Sequence, residues 1–405
     1  MFSPATRYTS TSAGSEQQAV GARASERYRI LHCLRAPVGG LFRHVCDLSA
    51  EQARRGHAVG VVCDAAASDP LTEARLRGLE RHLALGLFRT RMSRELGPSD
   101  ISAYFAIRRH ALETGVDVIH GHGAKGGAYS RLVARALKRA GLGVVSGYTP
   151  HGGSLHYRPT SVAGRIYMHL ERRLAGATDA LLFESAYSAE RYVAQVGPPA
   201  CAARVIPNGV GPDDFTASRA NRDAADFLFV GELRRLKGVD VMLNALARVR
   251  QARTVSAVVV GAGPDAAALE DETSRLGLDD IVSFRDPMPA REAFRLGRVL
   301  VVPSRAESFP YIVLEAAAAG LPILATNVGG IPEIVSGTDT ALLPAEDVDA
   351  LAQAMLDVLD RPVAAQSNAL KLRAAVGRRF TVAAMTDAVL ELYASVMRPV
   401  MTRAS

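Results

Sequence analysis

The sequence predicts an α/β protein of two Rossmann-like domains, and three observations point there. Strand-length apolar runs alternate with glycine turns and helix-periodic stretches. The alternation stops in a segment rich in Pro, Gly, Asn and Asp over 207–225 and then restarts. At 405 residues with 48% hydrophobic residues, the chain is too long for one ordinary core and suits two.

The elements follow in order. Residues 28–34 read as a buried strand. Gly39-Gly40 opens a helix with Leu41, Val45 and Leu48 at helical spacing, and Gly56 closes it. Further strands are expected at 58–63, 116–120, 144–148, 180–183 and 204–206, with helices over 126–140 and 162–174 between some of them. In the second half the expected strands are 226–230, 256–260, 281–284, 299–302, 322–325 and 341–343. Amphipathic helices follow at 348–359 and 381–397, the last returning to the first domain. The division is therefore a disordered tail (1–25), a first domain (26–206), a linker (207–225), a second domain (226–378) and a return helix (379–405). Such alternation implies parallel sheets covered on both faces, and ligands bind beyond the carboxyl ends of their strands. Two such sheets facing each other make a cleft.

Composition narrows the function. No window holds the roughly 18 uninterrupted apolar residues that a membrane span needs. The polar first 25 residues lack the apolar centre of a secretion signal. Cys33, Cys46, Cys63 and Cys201 show no CxxC spacing, which fits a reduced cytoplasmic protein. The first 200 residues carry 26 Lys+Arg against 16 Asp+Glu, and the remainder 22 against 25. A basic first half either meets an anion, such as an inner membrane leaflet or a lipid phosphate, or is an Arg-rich solvated surface. Arg131, Arg135, Lys138 and Arg139 recur on one predicted helix and would supply the membrane stripe. No nucleic-acid partner is expected.

The polar motifs fall at predicted strand ends. The richest is the run from Pro303 to Glu315, PSRAESFPYIVLE. Ser308 reads as the N-cap of a helix ending before Gly320 and Pro322, with Pro310 in its first turn. The free amides and dipole of that turn suit a phosphate. Glu307 precedes the helix, and Glu315 lies roughly 10 Å further along at ~1.5 Å per residue. Two carboxylates bracketing an anion site suit a ligand with hydroxyls on both sides of a diphosphate. VGELRRLKG (from Val230) and the GAG of Gly261–Gly263 follow two further strands. NVGGIPE follows a third, and a Gly-Gly or GxG alone is equally a tight turn. His120-Gly121-His122 and Thr149-Pro150-His151 end strands of the first domain. HxH has the residue type for metal ligation, but no partnering carboxylate cluster stands nearby, and no metal is expected. Asp347-Val348-Asp349 reads as a helix N-cap rather than a Mg²⁺ or Mn²⁺ site.

The Glu–seven residues–Glu spacing of ESFPYIVLE resembles the hallmark of glycosyltransferase family four, retaining enzymes of GT-B fold, and the resemblance runs from about Tyr28 to Met397. It implies a nucleotide-diphosphate sugar as donor, a glycan or lipid-linked acceptor, no cofactor and no metal. It also implies a role in cell-envelope or exopolysaccharide synthesis. By that likeness Glu307 and the following amides, that of Phe309 among them, hold the donor sugar, and Glu315 holds the ribose. Gly40 approaches the diphosphate from the first domain, and Gly261 and Gly263 lie near the base. Lys237 matches the family's diphosphate-neutralising lysine. Glu232 stands where the family has arginine, so that role passes to Arg234 or Arg235. His151 is the catalytic histidine of the first domain, beside Glu307 and Lys237 in that role. His122 and Tyr157 lie on the acceptor side. With no Trp in the chain, acceptor stacking falls to Tyr148, Tyr157, Tyr311 or Phe. A nicotinamide-dependent oxidoreductase would need a full GxGxxG with an acid about 20 residues on, which is absent. A GT-B epimerase or phosphorylase, or a noncatalytic sugar-nucleotide-binding partner of an envelope assembly complex, are the other readings.

Overall fold

A computed structural model describes residues 27–66, 69–95, 97–153 and 160–401. The predicted tail and Tyr157 lie outside these residues. Among the described residues of the first domain seven strands alternate with six helices: β1 (Arg29–Leu34), α1 (Gly39–Arg54), β2 (Ala58–Asp64), α2 (Pro70–Glu80), β3 (Gly86–Thr90) and α3 (Ser99–Thr114) come first. Then come β4 (Val118–His122), α4 (Gly123–Arg139), β5 (Val145–Thr149), α5 (Val162–Ala175), β6 (Ala180–Phe183), α6 (Ala186–Gln195) and β7 (Ala202–Val205). The second domain runs β8 (Ala225–Val230), α7 (Val239–Ala252), β9 (Ala257–Val260), α8 (Ala266–Arg275), β10 (Val282–Arg285), α9 (Ala290–Ala293) and β11 (Gly297–Val302). It continues α10 (Tyr311–Ala319), β12 (Ile323–Thr326), α11 (Ile331–Val335), β13 (Leu342–Leu343), α12 (Val348–Asp360) and α13 (Pro362–Arg379), and α14 (Val382–Met401) closes the chain.

All pairings within the sheets are parallel. The strand orders are β3-β2-β1-β4-β5-β6-β7 and β10-β9-β8-β11-β12-β13. Each order reverses once, between β1 and β4 and between β8 and β11, and loops beyond those strand ends form the crevice where such sheets bind ligands. Strands buried on both faces read as unbroken apolar runs. β1 is such a strand: Ile30, Leu31, Cys33 and Leu34 are inaccessible to solvent. β3 escaped the sequence reading because it is a half-buried edge strand with no such run.

Helix starts follow local chemistry. Asp69 accepts from the amides of Leu71 and Thr72, and Ser161, Ser185 and Asp347 cap α5, α6 and α12. Asp347 thus serves as the N-cap that the sequence suggests. Two expectations need correction. β4 includes the His120-Gly121-His122 triplet rather than ending before it, because left-handed Gly115 ends α3 and the strand starts later. The basic stripe on α4 is not one solvent face. Arg131 is buried, its guanidinium 2.8 Å from Glu171 on α5 and stacked 3.9 Å from the centre of the Tyr148 ring. Only Arg135, Lys138 and Arg139 are exposed.

The linker from Pro207 passes to the second domain, and α13 leads back to α14. There the chain lies beside its outgoing path: Val210 and Thr381 form a parallel bridge. α14 buries Met385, Val389 and Tyr393 in the core beside β1, β5 and β6 of the first domain. All four cysteines are free. Among the described residues no helix is long and apolar enough to cross a membrane.

Candidate active site

On the second-domain side the site is built around one carboxylate. Glu307, in the loop after β11, is buried, and its Oε1 accepts from Lys237 Nζ (2.7 Å) and Ser304 Oγ (2.8 Å). Lys237 stands on a 3₁₀ turn, Arg235–Lys237, just after β8. Arg305 staples that turn: it donates to the Arg235 carbonyl (2.5 Å), to both oxygens of Asp240 (2.8 and 2.7 Å) and to Glu346 (2.8 Å). Two glycines permit the close packing of loops here. A Cβ on Gly329 (φ 59°) would lie 1.7 Å from the Glu307 carbonyl oxygen, and one on Gly261 (φ 155°) 1.9 Å from that of Gly231. Gly263 packs likewise on the Leu233 carbonyl. Arg234 and Arg235 are both exposed, and Arg234 makes a loose pair with Glu232 at 3.4 Å.

Ser308 does not cap α10. The helix starts at Tyr311 with Pro310 in the cap position and no side-chain cap. The preceding carbonyls are drawn across the cleft instead: that of Ser308 accepts from Ser185 Oγ (3.1 Å) and that of Phe309 from Asn208 Nδ2 (2.9 Å). Phe309, preceding a proline, is also biased away from helical geometry. Its ring is buried against Phe380.

The first domain closes on α10 through α1. Gly40 lies under Tyr311, so that a Cβ there would be 3.4 Å from the ring. Arg43 reaches Glu315 (2.9 Å), Asp214 (2.7 Å) and Asp47 (2.6 Å). Burial pushes the Glu315 carboxyl up to about 7 and Asp47 up to about 6, although Arg43 pulls both down. Asn208 of the linker joins the halves: its Oδ1 meets His44 Nδ1 at 3.0 Å while its amide holds Phe309. Glu333 caps α6 from the other domain, accepting from the Ala186 and Tyr187 amides at 2.9 and 3.0 Å. Sequence reasoning missed Arg43, Asn208 and His44. The only signal for them was their place just after the Gly-Gly pair and in the linker.

Behind this interface lies a cluster of five histidines. His32 on β1, His44 on α1, His120 and His122 on β4 and His151 after β5 have ring contacts 4.1–5.5 Å between centres. Burial lowers all five: His32 and His44 fall to about 4, and His120, His122 and His151 lie well below their ordinary value. Ring nitrogens of His32, His120 and His122, and of His44, His122 and His151, gather within 4.8 Å of one another. Hydrogen bonds occupy both nitrogens of His32, His120 and His122: to Gln52 and His122, to Thr149 and Tyr393, and to His32 and His151.

His151 has a left-handed backbone, φ 50°, unusual for a residue with a side chain. Glu184, at the end of β6, is buried and accepts from Ser188 Oγ at 3.0 Å, and burial raises its pKa. Its neighbour Ser185 ties the end of β6 to the Glu307–Ser308 segment across the cleft through the Ser308 carbonyl. His122 is not on a cleft surface; it is buried within β4, because the strand extends through it. Tyr148 cannot stack on an acceptor. It is fully buried, with its hydroxyl on Glu171 (2.7 Å). Tyr311 is likewise buried between the domains.

Comparison with known proteins agrees with this architecture. The sequence profile of the family described as Glycosyltransferase Family 4 matches residues 38–214, and that of Glycosyl transferases group 1 matches 224–361. The chain is 30% identical over 400 residues to the D-inositol 3-phosphate glycosyltransferase of Saccharomonospora viridis, covering 89% of this chain and 90% of that one. In structure it resembles a sucrose-phosphate synthase from Thermosynechococcus elongatus, with TM-score 0.76 and 22% identity over 92% of this chain and 100% of that one. It also resembles Anabaena HepE in complex with UDP and glucose, with TM-score 0.74 and 18% identity over 91% of this chain and 100% of that one. Two parallel-sheet domains in this order, matched along nearly their whole length by such a relative, place the chain among the group 1 glycosyltransferases of family four, with the GT-B fold.

Proposed function

We propose that this glycosyltransferase moves a sugar, with retention and without a metal, from a nucleotide-diphosphate sugar to a glycan or lipid-linked acceptor, in envelope or exopolysaccharide synthesis. The observation that carries the reading is the contact of the two halves beside Glu307, which itself holds Lys237. Ser185 Oγ holds the Ser308 carbonyl, and Asn208 joins His44, in ring contact with His151, to the Phe309 carbonyl. A donor lodged there meets a carboxylate for sugar hydroxyls and an ammonium for its leaving diphosphate. The departing phosphate then takes the proton of the incoming hydroxyl on the same face. Lys237, Arg234 or Arg235 and the first amides of α10 stabilise the charge that develops, the contribution in which electrostatic preorganisation weighs most. Glu315 and Gly40 border the nucleotide end.

Support for a membrane-presented acceptor moves from α4 to α5. There Val162, Ile166 and Leu170 are exposed at four-residue spacing, with Arg165, Arg172 and Arg173 exposed beside them. An apolar stripe edged by arginines suits an anionic lipid interface. The curated relative's named acceptor, D-inositol 3-phosphate, belongs in the same assay as the soluble alternative.

The test is a transfer assay over a panel of nucleotide sugars, with EDTA, the anomer of the product read by NMR. Lys237→Ala should lower kcat about 100-fold or more, the usual scale for losing one transition-state donor. Wild-type turnover in that variant, an inverted product or abolition by EDTA would each remove its part of the reading.

A further inference from the structure

Three imidazoles run in file from the interior toward the cleft. Gln52 on α1 presents its carbonyl Oε1 to His32 Nε2 at 2.8 Å. His32 Nδ1 meets His122 Nε2 at 3.0 Å, and His122 Nδ1 meets His151 Nε2 at 3.0 Å. Gln52 and His32 are inaccessible to solvent and His122 nearly so. The groups facing this file are His120, His44, Tyr393, Thr149 and Glu184. No cation or ionised carboxylate of the described residues hydrogen-bonds to a ring nitrogen in it.

A neutral imidazole has one N–H donor and one acceptor nitrogen, and each contact in the file needs one hydrogen. Burial keeps these rings neutral. A carbonyl oxygen only accepts, so His32 carries its hydrogen on Nε2 and offers a lone pair at Nδ1. His122 must then donate from Nε2 and accept at Nδ1. The same step places the hydrogen of His151 on Nε2. Its Nδ1 is left as an acceptor, on a residue whose backbone is itself held in an uncommon conformation.

We infer that Gln52, His32 and His122 are positioning residues that lock His151 in the Nε2–H tautomer, so that Nδ1 receives a hydrogen bond from a substrate hydroxyl. The substrate half of this inference rests on the proposed glycosyl transfer; the tautomer half does not. An amide at the far end, in place of a carboxylate, sets the proton's position without stabilising an imidazolium. His151 is thereby a fixed hydrogen-bond acceptor and not a pH-responsive acid.

Long-range ¹H–¹⁵N correlation of the full-length protein labelled at histidine nitrogens tests the tautomers directly, with signals assigned by His→Gln variants. His32, His122 and His151 should all show protonated Nε2 and bare Nδ1. Gln52→Met removes the carbonyl and should release the order, giving Nδ1–H at His151. It should lower kcat roughly 10-fold or more, in the direction seen when a catalytic histidine takes the wrong tautomer, with the donor KM within about two-fold. Gln52→Glu keeps an acceptor at the same place and should restore the Nε2–H tautomer. His32→Gln serves where Gln52→Met does not fold. Nδ1–H at His151 in the wild type, unchanged tautomers in both Gln52→Met and His32→Gln, or a stoichiometric metal in the purified protein would overturn the inference. Correct tautomers in a protein that transfers no sugar would instead count against the proposed function.

Discussion

Arg43 faces three carboxylates, those of Asp47, Asp214 and Glu315, and one cation cannot balance them. Burial above all, with the neighbouring carboxylates adding to it, makes the folded protein hold protons here: Glu315 rises from 4.5 to about 7 and Asp47 from 3.8 to about 6. Both move upward, so the stability they contribute is complete below about pH 4 and is lost as pH rises through 6 and 7. Glu315→Gln removes one of these titrations and leaves Arg43 with two partners. Each tenfold change in a group's proton affinity is worth ~1.4 kcal/mol. The variant should therefore be more stable than wild type at pH 8 by about 1–3 kcal/mol, and nearly equal at pH 4.5. Urea unfolding at both pH values measures this. An equal decline with pH in the two proteins would show that Glu315 is ionised throughout. The same substitution bears on donor binding, since this carboxylate borders the nucleotide end of the proposed site.

Among elements, the α4–α5 pair shows what helical spacing leaves open. Residues four, seven and eight positions from Arg131 share much of its face, yet Arg131 turns inward. Its guanidinium lies on Tyr148 and pairs with Glu171, which also accepts from the Tyr148 hydroxyl. Removing one partner of a buried ion pair leaves the other charge stranded. Arg131→Ala should cost about 3–5 kcal/mol of unfolding free energy while leaving sedimentation with anionic liposomes unchanged. A stable variant that no longer sediments would return Arg131 to the membrane face. α10 carries a parallel lesson: Ser308 has the right chemistry for a cap, but its carbonyl is engaged by Ser185 of the other domain, and the helix begins later.

For the whole molecule, the two domains are joined where the chain crosses twice. The Val210 amide donates to the Phe380 carbonyl (3.0 Å) and the Val382 amide to the Val210 carbonyl (3.1 Å), so the outgoing and returning segments move as one. Gly209 permits this contact: a Cβ there would lie 2.3 Å from the carbonyl carbon of Thr381. Gly209→Ala must push the two segments apart, a change of the overpacking kind that costs about 1–3 kcal/mol. A lower Tm is expected together with a lower kcat, because the proposed site lies between the two domains that this joint connects. Scanning calorimetry and steady-state kinetics on one preparation check both. Unchanged kcat with lowered Tm would confine the crossing to stability.

Read alone, the sequence established what is local. Apolar runs of strand length marked β1, β6, β8 and β11, the Pro- and Gly-rich break separated two alternations, and the motifs holding Glu307, Glu315 and Lys237 suggested, by their family likeness, the second-domain half of the proposed site. These follow from period, turn chemistry and motif spacing, which neighbours along the chain determine. Tertiary structure alone decided which groups meet across the cleft. Arg43 finds Glu315 across 272 residues, His32 finds His122 across 90, and Tyr148 and Arg131 disappear into the core. An arginine or histidine reads the same in sequence whether water or another side chain solvates it. Only folding, by removing the water, assigns its partner and with it the charge it carries.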